Sequence, residues 1–221
     1  MTEFVTITGV YQGRVRRMEG DGRPTAIYKQ PVQHAVALGD GGLADDQQGD
    51  RKAHGGAERA LSHYPAEHYG VWASVYPQAA SLLRPGVFGE NVSTSGLTEG
   101  SVAVGDVFRM GTAVVQISQP RQPCWKISHR LNLPELAREV AETGRSGWLY
   151  RVLETGYLGP GDVAERLDRA THGYSLADMW AMHNARRPTM DDLEALATLD
   201  VLADSWRQRF ASRLDWMRRH A

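Results

Sequence analysis

The chain has 221 residues, 42% hydrophobic and 23% charged, with a formal net charge of −1 and a pI of about 6.7. That is the balance of a soluble globular protein with a sizeable core, and it gives no electrostatic pull toward nucleic acid or anionic membranes. A single cysteine, Cys124, excludes an intrachain disulfide, a CxxC redox pair, a multi-cysteine zinc site and a cysteine-held iron–sulfur cluster. No charged segment leads into an apolar core at the start, and no apolar run is long enough for a bilayer, so a reduced cytoplasmic protein is expected.

Along the chain, Val5 and Ile7, then Tyr11, Gly13 and Val15, alternate as in a half-buried strand. Short strands are predicted at 26–28 and 35–38. Pro65 suits the first turn of a helix in which Tyr69, Trp72 and Tyr76 recur at helical spacing before Pro77 ends it. The clearest hairpin joins 102–109 to 113–118 through Met110, Gly111 and Thr112. A second helix is predicted from Asn132, with Pro134 early, Glu135 at the capping-box position, Leu136 and Val140 as its stripe and Gly144 as its stop. Near residue 172 strand signals cease. Ser175 with Asp178 and Thr189 with Asp192 cap two helices, and Trp206, Phe210, Leu214 and Met217 form the stripe of a third. A boundary at about 170 thus separates a β-rich body, residues 1–170, from a three-helix C-terminal domain, residues 171–221.

Four segments could carry chemistry. Cys124 stands between Pro120, Arg121 and Pro123 on one side and Lys126 on the other. The prolines favour an extended loop and the cations favour a thiolate, the form that reacts and binds metals. A buried packing cysteine explains the residue equally well. In His54-Gly55-Gly56-Ala57-Glu58-Arg59, preceded by Asp45-Asp46-Gln47, paired glycines let backbone N–H groups approach an anion. Arg59 can add bidentate phosphate contacts and His54 can donate a proton. A tight turn with positive-φ glycines and a surface histidine accounts for the same residues. In Phe88-Gly89-Glu90-Asn91, Glu90 suits general acid–base work if burial raises its pKa, and Asn91 could orient a heterocycle edge. Alternatively both satisfy backbone groups. After the second helix, Arg145 among small residues could grip an anion, while Trp148 belongs in the core. His63 and His68 lack the close carboxylate pairing of a zinc site.

Taken in order, these segments resemble the MOSC domain, named for the C-terminal domain of molybdenum cofactor sulfurase, and within it the stand-alone bacterial YiiM-type proteins. The resemblance rests on Lys52-Ala53-His54-Gly55-Gly56, Ser62-His63-Tyr64-Pro65, Phe88-Gly89-Glu90-Asn91-Val92, Gly96-Leu97-Thr98, Gly105-Asp106, Ser118-Gln119-Pro120-Arg121-Gln122-Pro123-Cys124 and Thr143-Gly144-Arg145-Ser146-Gly147-Trp148. It spans nearly the whole chain, tail included. One departure is Asp45-Asp46 where the family usually reads Gly-Asp; Asp45 is a tolerable substitute for a glycine at a special backbone angle.

The resemblance implies a mainly β, mostly antiparallel barrel followed by the small three-helix bundle, with a pocket for the molybdenum cofactor and Cys124 as the metal's ligand. A soft thiolate suits a metal already held by sulfur. The cofactor's phosphate and pterin would engage Gly55, Gly56, Arg59, Gly89, Asn91, Ser118, Arg121, Lys126 and Arg145. The implied reaction is reduction of N-hydroxylated compounds such as 6-hydroxylaminopurine, a base-analogue detoxification, with His54 and Glu90 as proton donors beside Cys124. Lacking an iron–sulfur cluster and a GxGxxG after a strand, the chain is expected to take electrons from a separate reductase, a flavoprotein by class. A homodimer is compatible with the chain; membrane and nucleic acid are not expected partners. Two rivals stay open. Cys124 could carry a persulfide in metal–sulfur assembly. The tail could bind nucleic acid through Arg207, Arg209, Arg213, Arg218 and Arg219, although Asp191, Asp192, Glu194, Asp200, Asp204 and Asp215 dilute that face.

Overall fold

A computed structural model describes residues 4–50 and 55–220. Among them seven strands close into a barrel: β1 (Phe4–Gln12), β2 (Leu61–His63), β3 (Val92–Thr94), β4 (Val107–Met110), β5 (Ala113–Pro120), β6 (Trp148–Glu154) and β7 (Val163–Asp168). Around the barrel the order is β1, β7, β4, β5, β6, β2, β3 and back to β1. The strand β1 closes it by serving two neighbours, with Val5 opposite Ala164 in β7 and Val10 opposite Val92 in β3. A register shift between Ile7 and Gly9 makes the change of partner, as a bulge does, and the closed sheet has no open edge to protect. Pairings are antiparallel except for β2 with β3, where His63 lies opposite Val92. Val15 is exposed and lies beyond the strand, so the predicted alternation ends at Gln12.

The predicted hairpin forms, with Met110 opposite Ala113 and Gly111 at φ 58°. Its first strand begins at Val107 rather than 102. Asp106 explains the difference: its carboxylate accepts the N–H groups of Ala103 (3.0 Å) and Ala170 (2.8 Å), turning the chain just before the strand. Residues 26–28 are not a strand either. Only Pro24–Thr25 pair, with Arg16–Arg17. Beyond them the backbone carbonyls are met by side chains, Lys126 Nζ donating to Pro24 (3.1 Å) and Arg130 Nη1 to Ile27 (2.5 Å), so no strand partner is required.

Six α-helices accompany the barrel among the described residues: α1 (Glu67–Val75), α2 (Trp125–Leu131), α3 (Leu136–Thr143), α4 (Leu176–Asn184), α5 (Met190–Ala197) and α6 (Asp204–Arg219). The predicted start at Asn132 is in fact an end. Asn132 is left-handed at φ 53° and its N–H donates back to His129 and Ser128, closing α2, which sequence reading missed. The tail helices begin where their caps predict. Ser175 and Asp178 form a complete capping box, and Thr189 accepts from the Asp192 N–H.

Two cores result. Tyr64, Trp72, Phe88, Ile127, Leu136 and Val140 unite α1, α2 and α3 into a cap. The barrel core (Phe108, Ile117, Trp148) is continuous with Leu176, Trp180, Leu193, Trp206 and Phe210 of the tail. Backbone bonds from Leu176 to Val102 and from Ala203 to Ser118, both 2.9 Å, fasten the tail helices to the barrel.

Candidate functional site

A cavity of about 950 Å³ opens where the end of β5, the segment 23–29 and helix α6 meet. Its floor carries the loop from Gln119 to Lys126, and that loop is tied down on both flanks. On one flank Gln119 Oε1 accepts from Ser205 (3.2 Å) and Gln122 Oε1 accepts from Arg209 Nη2 (3.0 Å), both donors on α6. On the other, Lys126 reaches Pro24. Cys124 lies between these anchors, half-buried, with its backbone extended at φ −104° and ψ 140° where α2 begins. The thiol therefore lines a cavity instead of filling a core.

The cavity wall is cationic. Arg23, Lys29, Arg59, Arg121, Lys126 and Arg209 line it against two carboxylates, Asp46 and Asp50. Arg121 donates from Nη2 to the Phe88 carbonyl, while its buried Nη1 has no hydrogen-bond partner among the described residues. Orphaned buried donors of this kind are rare in native proteins and mark a place where a partner belongs.

Lys29 and Asp46 form a buried pair in the wall, with side chains 7% and 5% exposed and Nζ–Oδ distances of 2.6 and 2.5 Å. Burial holds the Lys29 ammonium below the usual lysine range, and Asp46 opposes that shift. Asp46 also accepts the Gly13 N–H (2.7 Å) and one Asn91 amide hydrogen (2.9 Å). Asn91 gives its other hydrogen to the Tyr11 carbonyl, and its oxygen accepts from the Ser62 N–H and hydroxyl. All four hydrogen-bonding positions of that amide are filled. Asn91 lines the cavity, yet in this arrangement it braces Asp46 and retains nothing for a heterocycle edge.

Glu90, its neighbour, is directed away from the cavity and fully buried. Its Oε1 accepts from Tyr69 (2.7 Å) and from the Gly86 N–H (2.5 Å), and its Oε2 has no partner among the described residues. Burial pushes the carboxyl above its ordinary range, against the hydrogen bonds from Tyr69 and Gly86 and the charge of Arg121. Glu90 thus sits behind the wall, under Arg121.

Of the residues singled out from sequence, the structure brings Cys124, Arg59, Gly89, Asn91, Arg121 and Lys126 to one cavity. Gly89 needs its left-handed φ of 77°, and a Cβ there would press on Ile27 Cγ1 at 3.0 Å. Ser118 is elsewhere: its hydroxyl donates to the Glu58 and Leu149 carbonyls, and on β5 it is the following residue, Gln119, that lines the cavity. Arg145 is also outside the lining, its carbonyl accepting from Tyr64. Gly55 and Gly56 are not in the lining; Gly56, at φ 101°, starts the short turn Ala57–Arg59 that aims Arg59 inward. His54 lies outside the described residues. His63 and His68 are buried away from the cavity, the first between Thr94 and Tyr150 and held down to about 3 by burial, the second on Glu99 at 2.7 Å. Sequence reading missed Lys29, Arg23, Gln119 and Ser205 as wall residues, because each is recruited by a distant segment.

The tail's arginines are mostly engaged at home. Arg213 donates to the Met182, His183 and Ala185 carbonyls at the end of α4, Arg207 pairs with Asp200 and Asp204, and Arg218 pairs with Glu194. Only Arg209 of the five turns to the cavity. Asp45 adopts φ 53°, so the loop keeps the left-handed angle that the family's glycine would take.

The MOSC domain family model matches residues 50–165. The chain is 38% identical to Protein YiiM of Escherichia coli over 208 residues, covering 92% of this chain and 90% of that protein. It is 32% identical over 208 residues to a protein of Gibberella moniliformis named Reductase, where the match takes 92% of this chain but 37% of the longer relative. In three dimensions it is similar to the crystal structure of YiiM from Geobacillus stearothermophilus, with a TM-score of 0.80, 33% identity and coverage of 96% of this chain and 100% of that one.

Proposed function

The chain belongs to the MOSC domain family, and from that premise we propose that it binds the molybdenum cofactor and reduces N-hydroxylated compounds such as 6-hydroxylaminopurine. The observation that carries this reading is a lone thiol in a cation-rich cavity that is also lined by Arg121, whose buried Nη1 has no hydrogen-bond partner among the described residues. The donor set suits the group. Cys124 offers a soft ligand, Arg121 and Lys126 offer charge for a phosphate, and Gly89 keeps the wall open where a side chain would meet Ile27. When bound, the molybdenum cofactor supplies two-electron oxygen-atom chemistry at a sulfur-held metal.

The chain's own residues position the reactants and manage protons. Reduction of a hydroxylamine to an amine and water consumes two electrons and two protons. Lys29 Nζ, buried at the wall with its pKa lowered, is placed to donate one and to be reloaded, while Asp46 keeps it oriented. Glu90 acts from behind, as a positioning residue that steadies Arg121 through charge. Electrons come from a separate reductase, a flavoprotein by class. The longer fungal relative named Reductase supports this, since it holds the matched segment within a chain that has room for further modules. No described helix is long and apolar enough to cross a membrane.

Protein purified from a cofactor-competent host is expected to convert 6-hydroxylaminopurine to adenine with a chemical reductant or an added flavoprotein reductase. Turnover with a reduced nicotinamide alone would remove the partner from the scheme. Absence of turnover with every donor, in protein that contains the cofactor, would remove the reaction.

A further inference from the structure

Five of the six cationic side chains on the cavity wall differ in whether a carboxylate is hydrogen-bonded to them. Arg23 is held by Asp21 through two bonds of 2.5 and 2.6 Å, and Lys29 by Asp46. Three more hydrogen-bond only neutral groups among the described residues: Arg121 the Phe88 carbonyl, with the Glu90 carboxyl behind it, Lys126 the Pro24 carbonyl and Arg209 the Gln122 amide. Arg121 and Lys126 lie inside the span that the family model matches, residues 50–165, and on the reading above they would balance the single phosphate of the cofactor. Arg209 lies outside that span, on α6, and is one cation more than the cofactor requires.

Its position is defined by the thiol-bearing loop. Arg209 bonds Gln122, two residues before Cys124, and Ser205, one helical turn earlier on the same face, bonds Gln119 and receives Arg59 Nη2 at 3.5 Å. Lys126, two residues after Cys124, is anchored on the opposite flank at Pro24. Cys124 therefore sits between two cationic flanks, one built by the barrel loop and one completed by the tail. Ordinary surface arginines on α6 find carboxylates or helix-end carbonyls, as Arg207, Arg213 and Arg218 do. Arg209 instead lines the cavity, with Nη2 on Gln122 and its guanidinium carbon 5.7 Å from the centre of the Trp206 ring.

We propose that the tail flank is a phosphate-monoester subsite for the substrate, so that the protein acts on N-hydroxylated nucleotides in preference to free bases. A guanidinium recognises a phosphate through paired, charge-assisted hydrogen bonds, which a neutral base or nucleoside cannot return. The nature of the base and the allotment of Arg121 and Lys126 to the cofactor rest on the reading above; the place of Arg209 on the cavity wall does not.

The test is calorimetric titration of the full chain, purified from a cofactor-competent host, with adenosine 5′-monophosphate and with adenosine as probes. The nucleotide is expected to bind about tenfold or more tightly than the nucleoside, the scale of one charge-assisted hydrogen bond. Arg209→Ala is expected to abolish that preference, Arg209→Lys to reduce it, and Arg218→Ala, on the paired face, to keep it. Equal binding of the two probes to the unaltered protein, or a preference that survives in Arg209→Ala, overturns the subsite. Thermal melts of each variant show whether it is folded, and Arg209→Lys carries the comparison if Arg209→Ala is not. Molybdenum content separates the two claims. Nucleotide preference without molybdenum leaves the subsite and removes the reductase, whereas molybdenum without nucleotide preference does the reverse.

Discussion

Replacing Asp46 by alanine tests the buried pair from which the cavity wall is built. The substitution strips Lys29 of both its short bonds and leaves the Gly13 N–H and one Asn91 hydrogen without an acceptor. Leaving one member of a buried pair behind typically costs about 3–5 kcal/mol. Lysine has an escape, because it can shed its proton. From an unfolded pKa of about 10.4, neutralising it at pH 7 costs about 5 kcal/mol at most, so the charge part of the penalty is capped near that figure. Against a typical total stability of about 5–15 kcal/mol, this is a large fraction. Lys29→Met in the same background removes the stranded charge, and the double variant is expected to be more stable than Asp46→Ala alone, with a coupling of about 2 kcal/mol or more. Urea unfolding of the four proteins at one pH measures all the terms. A loss below about 1 kcal/mol in Asp46→Ala, or additive single effects, would refute the reasoning.

Other expected outcomes concern neighbouring groups. Glu90 has a folded pKa raised above its unfolded value, so the folded state binds more protons and stability falls as pH rises from about 4.3 through the folded value. His63, held down to about 3 by burial, contributes the opposite slope below about pH 6.5, so the readout of urea unfolding is the difference between two proteins. Over pH 4 to 8 the stability of the unaltered protein relative to Glu90→Gln should fall as pH rises, and parallel curves would contradict it. Asp45 is left-handed at φ 53°, so Asp45→Val is expected to cost about 1–3 kcal/mol while Asp45→Gly stays within about 1 kcal/mol of the parent. Equal melting temperatures for the valine and glycine variants would show that the angle is not enforced.

How far the sequence could be read depended on how local each signal was. The tail was legible because Ser175, Asp178, Thr189 and Asp192 act within one helical turn. Asn132 misled because the same side chain suits a helix start and a left-handed stop, and only the packing of α2 against α3 decides between them. Barrel closure, with β1 shared between β7 and β3, depends on partners far apart in the chain and left no local mark. At the site, Cys124, Arg121 and Lys126 were legible as one loop, and Arg59 and Gly89 through the family's motifs. The direction of a side chain was not. Glu90 and Ser118 sit next to lining residues but point behind the wall, while Lys29 and Arg209 arrive from opposite ends of the chain.

Cys124 is proposed above to hold the molybdenum cofactor in this cavity. That role is tested most directly by molybdenum and pterin analysis of the unaltered protein beside Cys124→Ala, both purified from a cofactor-competent host and both confirmed as folded. The unaltered protein is expected to contain both components, and Cys124→Ala to lose most of its molybdenum. Equal molybdenum in the two proteins would contradict the thiol's role, and no molybdenum or pterin in either would point to a sulfur carrier instead.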